Sequence, residues 1–122
     1  ATLYAGYPWR FTQFRKTHGY ANMPLDGIWL RAPYLHNGSV PSLRDLLEPA
    51  ARRPKVFWRG NDVFDPHKVG FVSDQPEAQG RALFRLDTAE PGNGNGGHEG
   101  RAYGTELSAD DKLALVEYLK TF

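Results

Sequence analysis

The sequence predicts a mainly α-helical domain with long irregular segments and a small β-hairpin. Three observations carry this expectation. Nine Pro and 13 Gly among 122 residues interrupt regular structure along much of the chain. Two capping boxes, at Ser42 and at Ser108, each open onto spaced leucines. Between them, residues 55–73 alternate in a strand-like way.

The elements follow in order. Residues 1–41 read as extended or turn-rich. Aromatics recur there at Tyr4, Tyr7, Trp9, Phe11, Phe14, Tyr20, Trp29 and Tyr34 without a sustained helical period. Pro8, Pro24, Pro33 and Pro41 break any long helix. Ser42 caps a short helix, with Asp45 completing the box, Leu43, Leu46 and Leu47 on its apolar face, and Pro49 ending it. Val56-Phe-Trp58 and Val69-Gly-Phe-Val72 then predict a β-hairpin or a pair of short strands. Gly80-Arg-Ala-Leu-Phe-Arg-Leu86 predicts one more strand. The last helix is the clearest element. Ser108-Ala-Asp-Asp111 caps it, and Leu115, Val116, Leu119 and Phe122 form its buried stripe. Lys112, Glu117 and Lys120 fall away from that stripe.

Composition narrows the function. Fifteen basic residues face 14 acidic ones, for a formal net charge of +1. The basic groups at Arg10, Arg15, Lys16 and His18, and at Arg52, Arg53 and Lys55, lack the dense stripe that tracks phosphates. No nucleic-acid partner is expected. No apolar stretch approaches the length of a membrane span. The absence of cysteine removes disulfides and thiolate metal sites. The start at Ala1, without an initiator Met, predicts a processed, nicked or excerpted chain.

Several local patterns carry little. Gly92-Asn-Gly94-Asn-Gly-Gly97 matches G-x-G-x-x-G, but no helix opens at Gly97 and no βαβ unit surrounds it. Asn37-Gly-Ser39 matches a glycosylation acceptor, a common chance match. Ser39 lies in no G-x-S-x-G elbow. His18, His36, His67 and His98 show no zinc-ligand spacing. His98 is nevertheless distinctive. It ends the glycine-rich run Pro91-Gly-Asn-Gly-Asn-Gly-Gly-His98, ten residues before the last helix. Such a loop brings an imidazole to a metal without imposing its own geometry, and the helix behind it can hold the loop down. The alternative is a loop histidine hydrogen-bonded to nearby backbone.

Two stretches are more specific. One is Ala32-Pro-Tyr-Leu-His36-Asn-Gly-Ser39 followed by Leu43-Arg-Asp-Leu-Leu47. The other is Tyr103-Gly-Thr-Glu-Leu-Ser-Ala-Asp-Asp111 with Glu117-Tyr-Leu-Lys-Thr-Phe122. Together they resemble the region after the second haem in the bacterial di-haem cytochrome c peroxidase superfamily, which includes MauG-type enzymes and RoxA-type rubber oxygenases. The resemblance covers most of residues 20–47 and 80–122. The stretch Phe57-Trp-Arg-Gly-Asn-Asp-Val-Phe-Asp-Pro66 looks more like the RoxA-like branch.

The resemblance implies that residues 1–122 are the C-terminal part of a cytochrome c-like haem domain. It implies that His98 is the distal axial ligand of a haem iron, with Tyr103 as second choice. It puts His36 in the haem environment, although His36 also reads as a group that fixes the Asn37-Gly38 turn by hydrogen bonding. Arg31 becomes a partner for a haem propionate, with Arg10, Arg15 and Lys16 as weaker candidates. Trp29 and Tyr34 become haem-packing or electron-path aromatics, or plain core. Met23 is a donor in principle, at a position that does not match the family ligand.

The family holds each haem c covalently by C-x-x-C-H, and this chain has none. The anchor is therefore expected outside it, on a missing N-terminal haem-bearing portion or on a separate haem-bearing chain. The implied function is the distal side of an electron-transfer haem in a periplasmic or secreted di-haem redox protein. That protein would be a peroxidase- or oxygenase-like oxidoreductase, possessing a redox partner protein, with catalysis at a haem elsewhere. Two alternatives stand beside it: a non-catalytic electron-transfer cytochrome subunit, and a haem-free binding or structural module of the same fold. Poor autonomous stability is also expected, because the haem and the missing portion would complete the core.

Overall fold

A computed structural model of the chain describes residues 5–9 and 18–122. It is 22% helical and 17% strand, so the expectation of a mainly α-helical fold is wrong. The α-helices among the described residues are α1 (Leu43–Leu46) and α2 (Ala109–Leu119). Three single 3-10 turns add to them, at Ile28–Leu30, Ala50–Arg52 and Arg101–Tyr103. The serine half of both capping boxes forms. Ser42 Oγ accepts from Asp45 N, and Ser108 Oγ from Asp111 N, each at 3.1 Å. The boxes start helices but do not lengthen them. Pro49 and Pro54 follow α1 too closely for the helix to continue.

The β structure is three small antiparallel ladders. β1 (Val56–Arg59) pairs with β6 (Phe84–Asp87), opposing Phe57 to Leu86. β2 (Phe64–Asp65) pairs with β3 (Gly70–Phe71), and β4 (Glu77–Ala78) with β5 (Arg81–Ala82). The 56–58 and 69–72 runs are thus strands, but they are not partners. Each finds a different strand. The Phe57 and Phe71 rings lie 6.4 Å apart, and just past the second run Ser73 O accepts from Trp58 N at 2.8 Å. The turn joining β4 to β5 puts both Gln79 and Gly80 at positive φ, 52° and 73°, as a tight two-residue hairpin requires.

The main core gathers Tyr34, Val40, Leu43, Leu47, Val69 and Val116. Ile28, Trp29, Ala32, Leu35, Leu46, Leu115 and Leu119 pack around it. Val116 is the buried residue of α2, while Phe122 at the end of the expected stripe stays 41% exposed. Val69 is fully buried although its φ is 59°, an uncommon region for a β-branched residue. Its N–H donates to Asp65 O at 2.8 Å and its carbonyl accepts from Leu43 N at 2.9 Å. Burial and both bonds hold it there. Through Val69 the β2–β3 hairpin is fastened to the first turn of α1.

Candidate functional site

The motif segment 32–40 is folded back on itself. Tyr34 and Val40 bridge, with Tyr34 N donating to Val40 O at 2.7 Å. The Tyr34 side chain is buried, and its hydroxyl donates to Ile28 O at 2.7 Å. Burial pushes the phenol pKa well above its ordinary value, so Tyr34 is a neutral packing group across the physiological range. Between the bridge ends, Asn37 and Ser39 face the glycine-rich loop. Asn37 Nδ2 donates to Gly92 O at 3.0 Å and to Gly94 O at 2.9 Å, and Ser39 Oγ donates to Gly94 O at 3.1 Å.

That loop is held more firmly than its composition implies. Asn95 is buried, and its Nδ2 donates to Pro54 O at 2.9 Å. Arg53, only 2% exposed, gathers five backbone carbonyls around one guanidinium. Nε donates to Glu48 O at 2.9 Å and Nη2 to Leu46 O at 3.3 Å, both in and after α1. Nη1 donates to Asn95 O at 2.5 Å and Gly97 O at 2.6 Å, and Nη2 to His98 O at 3.0 Å. All five N–H donors of the side chain are therefore used. Burial pulls the pKa of Arg53 down, and the nearby Glu99 carboxylate opposes this. The Glu99 side chain itself accepts from Ala50 N at 2.6 Å rather than orienting His98.

His98 is exposed, with φ 62°, and its ring lies edge-on to Tyr103 with centroids 5.0 Å apart. Both rings line an open cleft of about 640 Å³. Ile28, Tyr34, Leu35 and Leu46 line it from the core, and Tyr20, Met23 and Pro24 from the segment before the first 3-10 turn. Pro24 is tied down by Arg31, whose Nη1 donates to Pro24 O at 3.0 Å.

The cleft thus brings together His98, Tyr103 and Tyr34 of the sequence candidates, with Met23 added. His36 is exposed and stacks on Tyr20 at 4.4 Å and 17°, which sets it beside a residue of the cleft. Arg31 lies outside the lining and acts on it through Pro24. Trp29 is not among the cleft's lining residues and packs against the main core, as its plain-core alternative had it. It lines a separate cleft of about 290 Å³ with Phe64 and Phe71, and its Nε1 donates to Phe122 O at 3.1 Å. Arg10, Arg15 and Lys16 lie outside the described residues. Among the described residues, no three His, Asp or Glu side chains converge as a metal-binding group. No helix among them is long and apolar enough to cross a membrane.

Residues 19–59 match the family described as RoxA-like, cytochrome c-like. The matched segment contains the Ala32–Ser39 motif, α1 and Arg53, and over that segment the chain is similar to RoxA-like cytochromes c. Two proteins of Sinorhizobium fredii (strain NBRC 101917 / NGR234) are also similar. The uncharacterized protein y4iJ is 50% identical over 108 residues, covering 84% of this chain and 17% of that protein. The uncharacterized protein y4iM is 40% identical over 119 residues, covering 84% of this chain and 27% of that protein. The chain therefore spans about a sixth and about a quarter of the lengths of these two relatives. No solved structure matches it.

Proposed function

We propose that this chain forms the distal side of a c-type haem site in a RoxA-like redox protein and supplies His98 as axial ligand to an electron-transfer haem. One observation carries the reading. His98 and Tyr103 share a single cleft with Tyr34 and Leu35, which belong to the segment matched by the RoxA-like, cytochrome c-like family.

The residues present fit such a group. The cleft has the scale of small-molecule and cofactor sites, roughly 300–1,000 Å³. Its lining is largely apolar and aromatic. Imidazole, thioether and phenol are all side chains that ligate haem iron, and His98, Met23 and Tyr103 offer one of each. The chain has no cysteine, so the covalent attachment belongs to another segment or chain. When bound, the haem supplies one-electron redox chemistry. The residues of this chain would hold it by packing, present the His98 imidazole, and limit water through the Tyr20–Pro24 segment. An iron already ligated by His98 would suit electron transfer better than oxygen activation, so catalysis would belong to a haem elsewhere in a peroxidase- or oxygenase-like assembly. The same reading puts the protein in the periplasm or outside the cell, beside a haem-bearing portion or partner.

Substituting His98→Ala in the haem-loaded protein should convert the haem of this site from low spin to high spin in the optical spectrum. Tyr103→Phe should leave it low spin. The reverse pattern would transfer the ligand role to Tyr103, and absence of a Soret band from the native protein would remove the haem reading altogether.

A further inference from the structure

We infer that Arg53 is the positioning residue for His98: its buried guanidinium fixes the backbone from which the imidazole enters the cleft. This rests on the haem reading above and adds a residue to it.

Three features of the loop point to Arg53. First, the guanidinium joins two parts of the chain that are distant in sequence. Two of its bonds go to carbonyls at Leu46 and Glu48, and three go to carbonyls at Asn95, Gly97 and His98. The first pair anchors it to the α1 region, which the core holds through Leu43 and Leu47. The second set reaches the final residues of the loop. Second, His98 is itself one of the bonded residues. Its carbonyl is turned to Arg53 while its ring lines the cleft. With its backbone in the left-handed region at φ 62°, His98 holds a conformation that a non-glycine residue adopts only when the surroundings dictate it. Third, among the described residues no carboxylate bonds to the guanidinium. Its hydrogen bonds all go to carbonyl oxygens, with the Glu99 carboxylate acting only from nearby, so removing the side chain takes the donor from five acceptors together.

A lysine cannot replace this. An ammonium has three donors on a flexible stem, against five in a planar fork. Nor is the glycine-rich run able to fix itself, because Gly94, Gly96 and Gly97 restrict the backbone least of all residues. The Asn37 and Ser39 tethers act earlier, at Gly92 and Gly94. Arg53 controls the last turn before the imidazole.

The test uses the intact haem-loaded protein, with Arg53→Lys and Arg53→Gln beside His98→Ala. Optical spin state, exogenous imidazole binding, and hydrogen exchange of the Asn95–Gly100 amides are followed. Both Arg53 variants should show mixed spin state, faster exchange confined to the loop, and imidazole binding accelerated by roughly tenfold or more, the loss of about one well-made hydrogen bond. Guanidinium ion added to Arg53→Gln should restore part of the low-spin signal. Arg53→Lys keeps charge and stem, so it reports even where Arg53→Gln fails to fold. Arg53→Lys that stays low spin with unchanged imidazole binding, while His98→Ala turns high spin, would overturn the inference and leave the ligand assignment standing. A His98→Ala protein with an unchanged spectrum would remove both.

Discussion

At the residue scale, the chain fixes its irregular backbone with side chains that bond to main-chain groups. Asp65 shows how this couples to pH. Its Oδ1 accepts from His67 N at 2.9 Å and Lys68 N at 3.0 Å, closing the turn between β2 and β3. Partial burial pushes its carboxyl up, but the two N–H bonds outweigh that, and its pKa lies below the ordinary value. A lowered folded-state pKa gives stability that is present above the unfolded value of about 3.9 and lost as pH falls through the folded value. Asp45 has the opposite sign. Burial raises its pKa against the Ser42 bond, so its contribution is lost as pH rises through its folded value. Asp65→Asn should therefore flatten the acid limb of a Tm-against-pH curve and lower stability at neutral pH by about 1 kcal/mol. An acid limb unchanged by the substitution would contradict this account of the turn.

Arg53 belongs to the same scale, and it is the residue least visible in the sequence. Beside Arg52 and Lys55 it reads as one more solvated cation. The signal that points to it lies elsewhere, in a long glycine and asparagine run whose carbonyls must find donors once the loop is packed down. His98, Tyr103 and Tyr34 are legible as candidates because they stand in or near recognisable stretches. That they share a cleft is a matter of three-dimensional closure, which neither stretch contains alone.

At the scale of elements, local signals are the reliable ones. The N-caps at Ser42 and Ser108 form because each needs only four consecutive residues. Strand partnership is not local. β1 pairs with β6, which begins 25 residues after β1 ends, and alternation in β1 says nothing about where its partner lies. Of the two readings of these runs, a hairpin or a pair of short strands, the pair of strands is found and the hairpin is not, for that reason. Ser108→Ala should destabilise the protein by about 1 kcal/mol through loss of the α2 cap, read as a shift in the denaturation midpoint at unchanged slope. Gly70→Ala should be worse. A Cβ there would meet the Pro41 carbonyl and Ser42 Cα, the latter at 2.9 Å, just where β3 bridges to the start of α1. Overpacking of this kind costs about 1–3 kcal/mol, and a Gly70→Ala protein as stable as the parent would mean that the β3–α1 junction is looser than described.

For the molecule as a whole, the balance of apolar surface matters most. Eight apolar side chains are buried among the described residues, while fourteen large ones stay exposed. Tyr20 is 75% exposed and Met23 71%, and both line the cleft. A chain this short already buries only about two-thirds of its unfolded surface. Isolated, it should melt at low temperature with a shallow transition and bind a hydrophobic dye. Association with a haem-bearing portion should raise the Tm and displace the dye. A sharp, high-temperature transition for the isolated chain would argue that the exposed patch is not an unfinished interface.

The bond from Trp29 to Phe122 has a consequence for that same cleft. Both the Trp29 indole and the Gly27 N–H, at 3.1 and 3.2 Å, rest on the Phe122 carbonyl. Two residues after Trp29, Arg31 holds Pro24 and with it the Tyr20–Pro24 segment. The final residue of α2's tail thus serves as a mooring post for a rim that lies a hundred residues earlier in the chain. Deleting Phe122 would remove that carbonyl and cast off the rim, while leaving His98 and its own tethers in place.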